Sequence, residues 1–167
     1  MKINITLGNK DILTGYLNID PTHDVSDLNV LTKESLSRNV VKADIRNLDS
    51  HIENAECKEI IVNSVSDFLE FEDAIAAIKH WVNKLRHDGK MVIIGSDAHE
   101  ICKQFLQGDI ELPEFNKKIH GDFSEPWDVR MSHFTMESMS ELLQSLGLNI
   151  SKKRIRNTNF IVEAVRP

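Results

Sequence analysis

The stretch Lys2–Asp20, KINITLGNKDILTGYLNID, decides how the rest of the chain is read. Lys2–Ile5 is a short β-like run, Thr6-Leu7-Gly8-Asn9 a tight turn, and Tyr16–Ile19 a second run that ends on Asp20. A strand, a turn presenting backbone amides, and an acid at the end of the next strand form the usual opening of a nucleotide-binding α/β sheet. The turn is thin in glycine, since Gly8 stands alone in it. A dinucleotide turn of the nicotinamide type needs G-x-G-x-x-G, so an oxidoreductase reading is weak.

Working outward, Asn39–Ala43 is a third β-like run, leading to Asp44, and Glu59–Asn63 and Lys90–Gly95 are a fourth and a fifth. The last two are dense in apolar and β-branched residues, which predicts strands buried on both faces of a parallel sheet. Between them, Phe71, Ile75, Ile78, Val82 and Leu85 recur at helical spacing and predict a helix over Phe71–Arg86. Acids in its first turn and bases in its last match the helix dipole. His87-Asp88-Gly89 closes it, with Gly89 expected in the left-handed position. A second helix is expected from about Ser138 to Leu146, with Thr135 as N-cap and Gly147 beyond its end. Asn149–Arg156 and Asn159–Val165, joined at Asn157-Thr158, are too close for a crossover and must pair antiparallel. Strands alternating with helices and ending in a hairpin give an α/β architecture with a mostly parallel sheet.

Size and composition fit this reading. The 167 residues suit a single domain over 1–167 with a real core. A net charge of −6 disfavours bulk binding to nucleic acid, which needs a basic excess. The basic run Ser151–Arg156, SKKRIR, is expected to be the solvated face of a late strand. No apolar run approaches the ~20 residues of a membrane-spanning helix. Cys57 and Cys102 form no CxxC motif, and the N-terminus shows no signal peptide. Two free thiols in a reducing cytoplasm are the expectation.

In an open α/β sheet the ligand lies at the carboxyl ends of the strands. Here those ends are Thr6-Leu7-Gly8, Asp20, Asp44, Asn63-Ser64 and Gly95-Ser96-Asp97. Asp20 could accept from two ribose hydroxyls, and Asp44 from the exocyclic amine of an adenine. The competing reading of each acid is a loop or helix cap. His80 falls off the helical stripe and is expected to face solvent. His99, His120 and His133 match no HExxH-type signature, so no metal site is assigned. The segment Gly108–Arg130, with Phe115, Phe123 and Trp127, has few helix or strand signals. It is expected to be a substrate-side lid, with partner docking as the rival.

Several phrases carry a family resemblance. INITLGNK (Ile3–Lys10) followed by GYLNID (Gly15–Asp20) resembles the family pattern LNLGCGNK followed by GYINVD. VKADIRNL (Val41–Leu48), AIKHWVNKLRHDGKMVIIGSD (ending at Asp97) and SHFTMESMSELLQSLGL (Ser132–Leu148) match later phrases in the same order. The chain resembles small class I S-adenosylmethionine-dependent methyltransferases, of the type associated with polysaccharide biosynthesis. The resemblance implies a Rossmann-like three-layer α/β/α fold, a mostly parallel central sheet ending in an antiparallel hairpin, and S-adenosylmethionine as cofactor. It implies that Thr6, Leu7 and Gly8 line the methionine end, that Asp20 holds the ribose, that Asp44 and the Ile45 backbone meet the adenine, and that Asn63 and Ser64 border the methyl group. A small-molecule or glycan-type acceptor follows from it, a homodimer stays open, and no catalytic residue is assigned. Two departures stand out: Thr6 replaces a turn glycine, and Val65-Ser66-Asp67-Phe68-Leu69-Glu70 replaces a Leu-Glu-His phrase. They keep a second reading in play, a non-catalytic binding or assembly module with a vestigial cofactor site.

Overall fold

The seven expected strands form one sheet in the computed structural model, which describes residues 1–23 and 39–167. They are β1 (Lys2–Ile5), β2 (Leu17–Ile19), β3 (Val40–Val41), β4 (Cys57–Asn63), β5 (Leu85–Ser96), β6 (Asn149–Arg156) and β7 (Asn159–Val165). Their order is β3-β2-β1-β4-β5-β7-β6. β7 runs antiparallel to β5 and β6, and the other pairings are parallel. The chain steps from β1 outward to β2 and β3, then returns to the other side of β1 for β4 and β5. That reversal creates a switch point at the carboxyl ends of β1 and β4.

Buried and half-exposed residues alternate along most of β4 and β5, which corrects the expectation that these two strands are buried on both faces. Ile3, Ile60, Met91 and Ala164 stand in register and are fully buried, as are Ile5, Val62, Ile93 and Val162. The opposite face carries a row of alternating charge. Lys2 Nζ lies 3.1 Å from Glu59, Lys90 Nζ 3.3 Å from Glu163, and Arg154 Nη1 3.2 Å from the same Glu163. A half-solvated sheet face accounts for the period-two pattern. The basic run of β6 is exposed on the sheet edge, as expected.

The buried face is covered by α1 (Phe71–Lys84), whose inward side is Ala74, Ala77, Ile78, Trp81 and Val82. The stripe is therefore rotated from the expected one. Phe71 is 48% exposed and stacks on Phe134, while Trp81 is fully buried and donates from Nε1 to the Ile45 carbonyl at 2.7 Å. The helix ends two residues before Arg86, because Leu85 is already extended and pairs with Cys57. Lys84, in the last turn, is buried with its three ammonium protons matched by Asp49 (2.5 Å), the Ile52 carbonyl (2.8 Å) and Asn54 (3.0 Å). His80 does not face solvent freely. Its side chain is 19% exposed, and Nε2 accepts from the Leu48 amide at 2.9 Å.

Gly89 plays a different part from the one expected. Asp88, with φ 57°, takes the left-handed position, while a Cβ on Gly89 would lie 2.7 Å from the Arg86 carbonyl oxygen and 3.0 Å from that of Cys57. The glycine is required by crowding in a bulge, where β5 loops out between the Cys57–Leu85 and Glu59–Lys90 pairs.

After β5 come α2 (Ala98–Gln107), α3 (Leu112–His120) and α4 (Met136–Ser145). The first two were not expected, and α3 occupies part of the segment read as a loop. α4 begins at the expected Thr135, which forms a capping box with Ser138. No described helix is long and apolar enough to cross a membrane. Cys57 is buried and Cys102 exposed, both as free thiols, and burial pushes the Cys57 thiol up to about 11.

Candidate functional site at the β1–β4 switch point

The parallel strands β1 and β2 are linked without a described helix, by a loop that bends at Gly8 (φ 69°), Asn9 (54°), Asp11 (52°) and Gly15 (82°). Glycine tolerates this region freely, and Asn and Asp better than most residues, which explains the composition GNKD. Two buried asparagines hold the loop. Asn18 Oδ1 accepts from Asn4 Nδ2 at 2.8 Å and from the Leu13 amide at 2.9 Å, and Asn4 Nδ2 also donates to the Asp11 carbonyl at 2.9 Å. Thr6 belongs to the same scaffold. It is almost fully buried, its amide donates to Ile19 O, and its hydroxyl donates to the Lys10 carbonyl at 2.6 Å. The threonine thus closes the turn.

The strand-end acids are likewise engaged. Asp20 is fully buried; Oδ2 accepts from the Asn9 amide at 2.6 Å, and Oδ1 from the amide (2.8 Å) and hydroxyl (2.6 Å) of Thr22. Asp44 is half exposed and faces the Arg46 guanidinium, with contacts of 2.9 to 3.3 Å. The Arg46 side chain, then its amide, holds the Asp44 carboxyl below the usual carboxylate range. Asp97 caps two helices at once, accepting from Glu100 N at 2.7 Å in α2 and Met136 N at 2.8 Å in α4.

Between β1 and β4 lies an open cleft. Thr6, Leu7, Asn63 and Ser64 form its sheet side, so four of the residues singled out from the sequence meet there. Gly8 lines an adjoining cleft; Asp44 and Ile45 line neither, and Asp20 lies buried under the turn. The facing wall contains Phe68, Trp127 and Arg130. Phe68 and Trp127 meet edge to face at 5.7 Å, and Lys10 lies over the Trp127 ring at 5.8 Å. Trp127 also rests on the turn: a Cβ on Gly8 would come within 2.5 Å of its ring. Lys10, Phe68 and Arg130 were not expected as site residues, because none of them is the last residue of a strand, where the sequence points to a ligand.

Neighbours among solved structures share this fold. A Pyrococcus horikoshii protein, PH0226, superposes with a TM-score of 0.69 at 17% identity, covering 99% of this chain and 82% of its own. The Burkholderia thailandensis 1,6-didemethyltoxoflavin-N1-methyltransferase, whose structure contains its substrate and S-adenosylhomocysteine, gives 0.61 at 11% identity, over 98% of this chain and 70% of that one. A SAM-dependent methyltransferase from Archaeoglobus fulgidus gives 0.60 at 9% identity, over 99% and 86%. No protein-family model matches the sequence, and no curated protein matches it. The architecture is the Rossmann-like one of class I methyltransferases, with a mostly parallel seven-stranded sheet closed by an antiparallel hairpin.

Proposed function

We propose that residues 1–167 form one methyltransferase domain that uses S-adenosylmethionine and acts on a small-molecule or glycan-type acceptor of the polysaccharide-biosynthesis type. The observation that carries this reading is the cleft at the switch point, lined jointly by the β1 turn and the end of β4. The company of methyltransferases among the structural neighbours supports it. In this proposal Thr6, Leu7 and Gly8 flank the methionine end, Asn63 and Ser64 the methyl group, and Asp44 and the Ile45 backbone the adenine. Asp20 takes the ribose by exchanging its Asn9 and Thr22 donors for sugar hydroxyls. The cofactor supplies a methyl already activated on a sulfonium, so the protein's contribution is alignment with water kept out. A cytoplasmic location fits the free Cys57 and Cys102. The test is calorimetric titration with S-adenosylmethionine and S-adenosylhomocysteine. Saturable heat is expected, and its absence at millimolar ligand with folded protein would sink the reading.

The second reading, a vestigial site in a binding or assembly module, is favoured by a specific pair of contacts. Trp127 lies against Gly8, and both Asp20 oxygens are already occupied. Thr6→Gly separates the two readings: binding gained by the variant and lacking in the natural chain marks a lost site.

A further inference from the structure

Arg130 is the side chain in the cleft with the most elaborate support. Its Nη1 donates to Asp67 Oδ2 at 2.7 Å and also contacts the Ser96 hydroxyl, and its Cζ lies 5.4 Å from the centre of the Phe68 ring. Asp67 is fully buried beneath it and accepts from the Ser96 amide at 3.1 Å through the same oxygen. A carboxylate buried this deeply needs its cation, and a guanidinium tied to it through Nη1 beside an aromatic ring is held at this place in the cleft. The backbone around the pair is tied as well, since Met131 N (2.8 Å) and Ser132 N (3.2 Å) donate to the Asp67 carbonyl.

This support engages Nη1 alone, and among the described residues Nε is buried without a partner. Among the described residues Nη2 meets no acceptor, while the side chain is 21% exposed and lines the cleft. A second cation, Lys10, lines the same cleft on the Trp127 ring. Three acids, Asp11, Asp122 and Asp128, line the cleft as well; Asp128 accepts from the Ser124 hydroxyl at 2.7 Å, and Asp122 lies 3.8 Å from Lys117. Both cations rest on aromatic faces that are themselves packed edge to face, so the two positive groups of this cleft are held in place against its walls.

We propose that Arg130 is the specificity-determining anchor of the methyl acceptor, and that the acceptor carries a carboxylate, which Nη2 binds across the cleft from the β4 end. This rests on the methyltransferase reading and narrows its acceptor to an acidic molecule. Arginine suits the task because it presents planar, charge-assisted donors that an ammonium does not reproduce. Asp67 is a positioning residue that acts through Arg130.

The test uses the full chain, labelled with nitrogen-15, titrated with D-glucuronate, D-glucose and inorganic phosphate. The indole signal of Trp127 reports on the cleft, and that of the buried Trp81 reports on the fold. Glucuronate is expected to shift Trp127 saturably in the millimolar range while glucose leaves it in place. Arg130→Lys, which keeps a charge beside Asp67, is expected to weaken glucuronate about tenfold or more with Trp81 unmoved. An equal response to glucose, a stronger one to phosphate, undiminished affinity in R130K, or no saturable shift overturns the proposal. S-adenosylhomocysteine titrated into the same samples keeps the two ideas apart. Its binding without a glucuronate response removes the acidic acceptor alone; a glucuronate response without its binding removes the methyltransferase reading and leaves an anion site.

Discussion

At the scale of single residues, His80 is a polar group whose protonation is coupled to the fold through a backbone hydrogen bond. His80 lies off the apolar stripe, and position alone predicts solvent, yet its Nε2 receives the Leu48 amide. That bond requires an unprotonated nitrogen. Burial first, and then Lys84, lower the His80 pKa below the ordinary histidine value, while Asp49 pulls the other way. A histidine depressed in the folded state contributes stability that is complete above the unfolded value near 6.5 and is lost as pH falls through the folded value. Melting curves between about pH 7.5 and pH 5 should therefore fall more steeply for the natural chain than for His80→Gln, whose amide oxygen can accept the same bond uncharged. Parallel slopes would refute the assignment. Lys84 is a second hidden polar group: Lys84→Met strands the Ile52 carbonyl and should cost about 1–3 kcal/mol in urea unfolding. Cys57 gives a chemical check on the same core. With its buried thiol pushed up to about 11, alkylation of folded protein near pH 8 should stop at one adduct, on exposed Cys102. A rapid second adduct would mean that the start of β4 opens.

Elements were readable where hydrophobic periodicity or a cap marks them, and missed where neither does. All seven strands overlap the stretches expected, although β3 shrinks to Val40–Val41 and β5 already begins at Leu85, and α4 starts at its Thr135 capping box. α3 escaped because it has no buried residue to make a stripe; its Pro113 stands in the first turn, where the missing amide proton is harmless. α2 has Ile101 alone fully buried. The bulge in β5 shows a subtler limit: sequence locates a turn at His87-Asp88-Gly89 without saying which residue bends. Since Asp88 takes positive φ and Gly89 fills a gap too tight for a Cβ, the two should respond oppositely to substitution. Gly89→Ala should destabilise by about 1–3 kcal/mol through overpacking against Arg86 and Cys57. Asp88→Gly should stay within about 1 kcal/mol of the natural chain, since glycine accepts that conformation freely. Chemical denaturation of both variants decides it, and the reverse order would restore Gly89 to the left-handed position.

For the molecule as a whole, the strand order tells where a ligand belongs, and the contacts across that place tell what opposes it. The carboxyl ends of the strands point to the cleft, and Thr6, Leu7, Asn63 and Ser64 do meet there. What sequence could not show is that the excursion between β5 and α4 folds back over the β1 turn. The Trp127 ring lies between two clefts and touches Gly8, so it joins the two halves of the site and covers the backbone that a cofactor would approach. If Trp127 is a cover, its removal should weaken the free protein and strengthen the liganded one. Trp127→Ala loses half-buried aromatic packing against Phe68, a cost of about 1–3 kcal/mol in the absence of ligand. S-adenosylhomocysteine at about a hundred times its dissociation constant stabilises a folded chain by about 2.7 kcal/mol. At one fixed ligand concentration, the rise in melting temperature should be larger for the variant than for the natural chain, because binding no longer displaces the ring. A smaller rise would reverse the assignment: Trp127 would then be a wall of the bound state, and the Gly8 contact part of the site the ligand uses. Both melts start from the full chain, and the free-protein melting temperature separates lost packing from changed affinity.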